Sequence, residues 1–146
     1  TNSAPETLTR LRNMGVPAFN IATSVSIIIA QRLARRLCEH CKKPADIPHD
    51  TPLAEGFSEE LLADGEIYMP GDGCTHCLNG YKGRVGIYEV VKVSPEIQRI
   101  IMEEGNSLEI AKQADKEGCR NLRKSGLMKV TQGITSLEEV NRVTKD

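Results

Sequence analysis

The sequence contains two cysteine pairs, Cys38-Glu39-His40-Cys41 and Cys74-Thr75-His76-Cys77, which decide how its middle part folds. Each pair can offer two thiolates from one tight turn, and two such turns can close a tetrahedral metal site. Residues 42–73 would then form a loop closed by the ion. Because four thiolates leave no position open for a catalytic water, the spacing predicts a structural site, for which Zn²⁺ is the best-suited ion. The predicted ligands are Cys38, Cys41, Cys74 and Cys77.

Four other interpretations of these cysteines remain open: a redox pair, two disulfides, an iron–sulfur or rubredoxin-type iron site, and coincidence. A redox motif would start a helix after a strand and would need no duplicate. Disulfides would suit an exported chain, but no signal peptide is visible and Cys119 makes the cysteine count odd. We interpret Cys119 as a small buried hydrophobe. His40 and His76 could each replace a sulfur, but their rings are expected to point outward from the turns.

Basic residues surround both cysteine pairs in sequence. Cations at these positions would favour the thiolate forms, and an ordinary solvated basic face explains them equally well. The residues concerned are Arg35, Arg36, Lys42, Lys43, Lys82 and Arg84.

The composition is that of a globular protein without a large excess of charge. The chain has 146 residues, of which 39% are hydrophobic and 27% charged, with a net charge of -1. This balance excludes disorder and argues against nucleic-acid binding driven by bulk charge, and the few aromatic residues leave little surface for stacking bases. The most apolar run, residues 27–30, is too short to span a bilayer.

Helical spacing and capping residues predict a mainly α-helical chain with a small β-containing tetracysteine insert. Ser3-Ala4-Pro5-Glu6 is a capping box that starts a short helix ended by Gly15. A long helix is predicted from about residue 19 to residue 37, and its end carries Arg32, Arg35 and Arg36 as complements to the helix dipole. Further helices are predicted at 58–63, 95–103, from 107 onward, at 122–132 and at 137–143. Residues 66–69 and 80–91 are predicted to be extended.

The sequence lacks the motifs that catalysis would require. It has no phosphate-binding G-x-x-x-x-G-K-[ST] loop, no G-x-G-x-x-G element and no nucleophile elbow. Two adjacent carboxylate pairs, Glu103-Glu104 and Glu138-Glu139, are interpreted as solvated helix faces rather than acid–base pairs. From its residues alone, the chain is a structural or interaction module.

Four phrases of the sequence resemble a known family: TNSAPETLTRL (1–11), IAQRLARRLC (29–38), GYKGRVGIYE (80–89) and GITSLEEV (133–140). In this order, and with the cysteine quartet, they are similar to the C-terminal part of the type II/IV secretion ATPases. The resemblance is closest to the motors that extend type IV pili, and next to those of type II secretion. It covers essentially the whole chain.

The resemblance implies that the chain is the C-terminal portion of a RecA-like ATPase domain. In this family the Walker A loop, the Asp-rich box, the Walker B motif and the His box all precede the zinc insert. Thr1 and Asn2 resemble the tail of the His box, Leu-His-Thr-Asn, so we expect an excised fragment without the nucleotide core. The implied segments are a helical segment (1–37), the tetracysteine zinc insert (38–91) and a C-terminal helical subdomain (92–146).

The implied parent protein is a cytoplasmic homohexamer, peripheral to the inner membrane and docked on a platform protein. It would use ATP and Mg²⁺ to drive pilin polymerisation, whereas the fragment alone would be structural and inactive. Some of Arg32, Arg35 and Arg36 would then pair with acidic groups of a neighbouring subunit or of the platform. The alternatives are a type II secretion module and an independent zinc-ribbon protein that binds nucleic acid or a partner. Charge balance and few aromatics disfavour nucleic acid.

Overall fold

The computed structural model describes residues 3–45 and 50–144. In chain order the helices and strands are α1 (Ala4–Asn13), α2 (Ala18–Ser24), β1 (Ile27–Leu37), β2 (Lys43–Pro44), α3 (Asp50–Glu55), α4 (Glu59–Asp64), β3 (Tyr68–Met69), β4 (Tyr81–Lys92), α5 (Pro95–Met102), α6 (Ser107–Lys116), α7 (Leu122–Thr131) and α8 (Leu137–Thr144). β1 pairs with β4, and β2 pairs antiparallel with β3.

The chain divides into two compact units. The first unit comprises Thr1–Gln31 and Tyr88–Leu122, and the second comprises Arg32–Ile87 and Arg123–Asp146. The paired strands β1 and β4 contribute residues to both units. The three segments predicted along the chain, with boundaries at residues 38 and 92, stay a prediction.

In the first unit, four helices pack around a small aliphatic core. α1 contacts α2 and α6, and α5 contacts α2 and α6. Two hydrogen bonds show that β1 and β4 are antiparallel: Val93 N–H donates to Ser26 O near one end, and Cys38 N–H donates to Gly80 O near the other. The core of this unit includes Leu8, Ile21, Ala22, Ile28, Val91, Ile97, Ile101 and Ile110.

In the second unit, α7 and α8 pack closely together because Gly126 has no side chain. A Cβ on Gly126 would lie 2.9 Å from a Val140 methyl group and 3.3 Å from Ile87 Cδ1. Such distances leave no room for even a methyl group without movement of the neighbours. The core of this unit includes Ala34, Leu37, Phe57, Tyr81, Ile87, Leu127, Val130 and Val140.

The long helix predicted for residues 19–37 is wrong, because helix α2 ends at Ser24 and residues 27–37 form strand β1. Ile28, Ala30 and Ala34 are buried on one face of the strand, whereas Ile29 and Leu33 are exposed. The β-branched run at 27–29 favours a pleated strand. Arg32, Arg35 and Arg36 therefore lie on a strand, and the helix-dipole interpretation of them does not apply.

The remaining element predictions are largely confirmed. Ser3 caps α1, Ser58 caps α4, Ser94 caps α5 and Asn106 caps α6, each accepting a backbone N–H with its side chain. Helix α3 lies where no helix was predicted. Across the described residues the fold is mixed rather than mainly helical, and the two long strands β1 and β4 make the difference. No helix in the described ranges is long and apolar enough to cross a membrane.

Candidate metal centre

Two short turns hold the cysteines. Cys38 follows strand β1 directly, and its carbonyl accepts a hydrogen bond from Lys42 N–H at 3.0 Å, which closes the first turn. In the second turn, Cys77 N–H donates to Cys74 O at 3.3 Å. The β2–β3 pair joins the chain after the first turn to the chain before the second. These local bonds bring together two cysteine pairs that are far apart in sequence.

The four sulfurs converge as the spacing predicted. The Sγ atoms of Cys38, Cys41, Cys74 and Cys77 all lie within 4.8 Å of one another. The distance from Cys38 Sγ to Cys74 Sγ is 3.7 Å, and Cys77 Sγ lies 3.6 Å from both Cys41 Sγ and Cys74 Sγ. Tetrahedral Zn–S bonds of about 2.3 Å place ligand sulfurs about 3.8 Å apart. The four cysteines therefore fit a metal ion that is coordinated by four thiolates. All five cysteines of the chain are free of disulfide bonds.

Glycines let two loops approach the cysteines closely. A Cβ on Gly71 would overlap the carbonyl oxygen of Cys41 and lie 3.2 Å from Cys41 Cβ. Asn79 and Gly80 form a two-residue turn in which both have positive φ, 55° and 91°, as in a type I′ hairpin. Leu78 and Tyr81 exchange backbone hydrogen bonds across this turn. The turn sends the chain from the second cysteine pair directly into β4.

The thiols differ in how readily they ionise. Burial, together with hydrogen bonds from the neighbouring thiols, raises the pKa of Cys41 to about 12. Burial acts in the same direction on Cys77, but hydrogen bonds, first from Cys41, bring the pKa of Cys77 down to about 7. The cluster therefore retains protons at neutral pH that a bound cation would displace.

The two histidines of the turns lie against each other. The imidazole rings of His40 and His76 stack with their centroids 4.1 Å apart and an interplanar angle of 26°, and both residues are exposed. His76 also donates its backbone N–H to Cys74 Sγ at 3.4 Å. Within the described ranges, the convergent ligand atoms are the four sulfurs and no histidine nitrogen.

Lys42 connects the first cysteine turn to the helical part of the second unit. Its ammonium group donates to Gly133 O at 3.0 Å, pairs with Glu39 at 3.2 Å and lies 4.6 Å from the centre of the Tyr68 ring. The side chain is only 17% exposed. The charge of Lys42 is thus directed toward partners other than the sulfurs. Lys43, Lys82 and Arg84 are exposed, as the solvated-face interpretation expects.

Arg35 binds the buried carboxylate of Glu139. The Arg35 guanidinium donates to Glu139 Oε1 and the Arg35 backbone N–H donates to Glu139 Oε2, both at 2.8 Å. Arg142 binds the same carboxylate at 2.8 and 3.0 Å, and the Arg35 guanidinium lies 4.3 Å from the centre of the Tyr81 ring. Although burial opposes ionisation, the hydrogen bonds from Arg142 and Arg35 lower the pKa of Glu139 to about 2.

These contacts correct one prediction and bear on another. Glu139 was interpreted as part of a solvated face, but its side chain is fully buried, whereas its neighbour Glu138 is exposed. The helix predicted at 137–143 placed Glu139 near a helix start but gave no sign of its arginine partners. The interface role of Arg32, Arg35 and Arg36 stays a prediction, and Arg35 has a local role through Glu139.

The family follows from a comparison of the whole chain with known proteins. The family described as type II/IV secretion system protein matches residues 1–142, so the chain belongs to this family. The chain is 70% identical over 146 residues to the type IV pilus assembly ATPase PilB of Pseudomonas aeruginosa, and 62% identical over 148 residues to that of Acinetobacter baylyi. It is 40% identical over 148 residues to the type II secretion system ATPase E of Vibrio cholerae.

The resemblance found in the sequence is therefore confirmed. All three comparisons cover 100% of this chain, but 26%, 25% and 28% of the respective relatives. The chain thus spans about a quarter of the length of the curated relatives it matches. The interpretation of Thr1 and Asn2 as the tail of a His box lies outside the described residues.

Proposed function

We propose that this chain is the C-terminal module of a hexameric cytoplasmic ATPase that assembles type IV pili. The observation that carries the proposal is the difference in identity: 70% to a pilus assembly ATPase against 40% to a type II secretion ATPase, both over the whole chain. The full-length protein would lie beneath the inner membrane on a platform protein. Its ATP and Mg²⁺ would bind to the nucleotide core of a RecA-like domain, and this chain would form the C-terminal portion of that domain, outside the core.

Within that protein the module supplies structure and contacts rather than nucleotide chemistry. Its sequence has no phosphate-binding loop of a recognisable kind. The four sulfurs hold one structural Zn²⁺, because the distances between them suit tetrahedral thiolate ligation and leave no open position. The ion ties strand β1 to the start of β4 and so stabilises the second unit. Family membership weighs against an independent zinc-ribbon protein.

The exposed Arg36 is the best of the three arginines for contact with a neighbouring subunit or the platform. Arg35 is engaged with Glu139, whereas Arg36 is exposed on the same strand. Guanidinium groups suit bidentate pairing with carboxylates across an interface. Arg36→Glu should reduce assembly of the full-length protein without changing its zinc content, and assembly equal to that of the unchanged protein would contradict the proposal.

Type II secretion is the second candidate, and an exchange of modules separates the two. The chain would replace the corresponding quarter of the Pseudomonas aeruginosa PilB, and in parallel that of the Vibrio cholerae ATPase E. We expect the first chimera to restore pilus assembly in a strain that lacks PilB, and the second to fail in secretion. Restored secretion without restored piliation would reverse the assignment. Failure of both chimeras, when each is stable and contains zinc, would contradict both.

A further inference from the structure

A second buried carboxylate, Glu89, lies in the first unit, apart from the metal centre. Glutamate is rarely buried this deeply unless it is paired, yet Glu89 on strand β4 is only 5% exposed. Unlike Glu139, it forms no ion pair with an arginine or lysine in the described ranges. Its carboxylate instead accepts a hydrogen bond from the backbone N–H of Ala4, with Glu89 Oε1 at 2.8 Å. The two residues are 85 positions apart in sequence.

The contact completes the hydrogen bonding of the first turn of α1. A helix leaves its first backbone N–H groups without partners inside the helix. Here Glu6 N–H donates to Ser3 Oγ at 3.3 Å and Thr7 N–H donates to Ser3 O at 3.3 Å, while Pro5 has no N–H to satisfy. Ala4 N–H finds no acceptor within the turn itself, and Ala4 is fully buried. Glu89 therefore supplies the acceptor that this buried turn would otherwise lack.

Burying a carboxylate to bind a single backbone N–H group costs more free energy than burying a neutral acceptor there. Burial raises the pKa of Glu89 and the nearby charge of Glu6 acts in the same direction, while the bond from Ala4 N–H opposes both effects. A neutral or apolar side chain of similar length would be easier to bury at this position. The benefit of Glu89 is positional: it attaches the start of α1 to strand β4, at the point where the polypeptide leaves Thr1 and Asn2.

We propose that Glu89 is a positioning residue for the ATPase reaction of the full-length protein, because it fixes where the chain passes from the preceding core into α1. This inference rests on the proposed function. Small displacements of reacting groups lower catalytic rates strongly, even when they originate away from the chemistry. Glu89 acts through the backbone at Ala4 and need not touch nucleotide itself.

Two variants of the full-length protein test the role. Glu89→Met keeps the length of the side chain and suits a buried site, but it offers no acceptor, whereas Glu89→Gln keeps an acceptor oxygen and removes the charge. Glu6→Ala is the matched control, because Glu6 is an exposed carboxylate in the first turn of the same helix. For each, kcat and KM for MgATP, oligomeric state and hydrogen exchange of a peptide that covers the start of α1 would be measured.

We expect Glu89→Met to lower kcat about tenfold with KM within about twofold, and to speed exchange at the start of α1, while the oligomer persists. Glu89→Gln and Glu6→Ala should both stay within about twofold of the unchanged protein in kcat. A Met variant with unchanged kcat, or a Gln variant as impaired as the Met variant, would overturn the inference while leaving the proposed function intact. An unchanged full-length protein without ATPase activity would overturn both.

Discussion

Glu139 combines full burial with two arginine partners and a backbone hydrogen bond, so its charge should contribute to the stability of the second unit. Glu139→Gln removes the buried negative charge and leaves Arg35 and Arg142 without a carboxylate partner. We expect a loss of about 3 kcal/mol in the free energy of unfolding, as for other broken buried pairs. Urea unfolding of the chain at pH 7 measures it. Glu138→Gln, next to it and exposed, should change stability by less than about 0.5 kcal/mol.

The same carboxylate should make the chain acid-sensitive. The pKa of Glu139 is lowered from 4.5 to about 2 in the folded chain. A lowered carboxyl pKa stabilises the fold above the unfolded-state value, and this contribution is lost as the pH falls through the folded value. We expect stability to decrease between about pH 5 and pH 2, by about 3 kcal/mol from this group. Glu139→Gln should flatten that part of the profile, and an unchanged slope would assign the acid sensitivity to other groups.

The four clustered cysteines should be required for metal, and the fifth should not. Cys38→Ser removes the most buried thiolate of the cluster and should abolish stoichiometric zinc, with a loss of thermal stability, because structural zinc contributes folding free energy directly. Cys119, which was expected to be buried, is partly exposed and lies outside the cluster, so Cys119→Ala should leave the zinc content at about one per chain. Elemental analysis of both purified variants decides it. A metal-free unchanged chain with the same thermal stability as a zinc-loaded one would contradict the proposed site.

At this scale, spacing predicts the cysteines well and burial of charge poorly. Two cysteines three positions apart share one turn, so their convergence follows from local geometry. The burial of Glu139 depends on Arg35, 104 residues away, and that of Glu89 on Ala4, 85 residues away. The spacing of residues along the chain does not predict partners so far apart in sequence.

Among the elements, strand β1 shows where periodicity misleads. Residues 27–37 place apolar side chains at positions compatible with both a helix and a strand, and the arginines at the end add a helix-like signal. Residues 27–37 form a strand rather than a helix because their backbone pairs with that of β4. The short helices were predicted more reliably, because Ser or Asn stands at the start of α1, α4, α5 and α6 and bonds its own first turn.

The loop that carries Gly71 should be intolerant of any side chain. Gly71→Ala would place its Cβ on the carbonyl oxygen of Cys41, so the first cysteine turn must move and zinc affinity should fall at least tenfold. Competition with a chromogenic zinc chelator measures the affinity. Gly118→Ala is the control: its φ of +89° strains any side chain, by about 1 kcal/mol, but nothing lies within 4 Å. Equal affinities in the two variants would mean that the turn accommodates the clash.

For the whole chain, we expect no tight binding of nucleotide. The phosphate-binding loops recognisable by motif are absent from its sequence. Titration calorimetry with MgATP should show no binding at micromolar concentrations. Micromolar affinity would mean that these helices and strands supply more of a nucleotide pocket than their residues indicate.

Family membership could be predicted for the molecule as a whole, whereas its division into two units could not. Ordered phrases of sequence identify relatives because they survive changes elsewhere in the chain. The units are interleaved instead: each takes part of β1 and part of β4, and each takes helices from the C-terminal third. Such interleaving depends on long-range pairing, which composition and spacing along the chain do not encode.

The Asn79-Gly80 turn next to the metal centre has a sequence that is prone to deamidation, and this reaction would limit how long the centre stays intact. An asparagine followed by glycine ages by attack of the glycine nitrogen on the asparagine side chain, with loss of ammonia through a cyclic imide that opens to aspartate or isoaspartate. In this turn the backbone around Gly80 is held by the two hydrogen bonds that Leu78 and Tyr81 exchange and by the bond from Cys38 N–H to Gly80 O. A metal that fixes Cys38 and Cys77 on either side of the turn would hold this backbone in place, so that the Gly80 nitrogen reaches the Asn79 side chain less often and the reaction slows. Protein stored with a chelator should therefore accumulate isoaspartate at position 79 faster than zinc-loaded protein, and each lesion would lengthen the backbone beside a ligand and make the ion harder to regain.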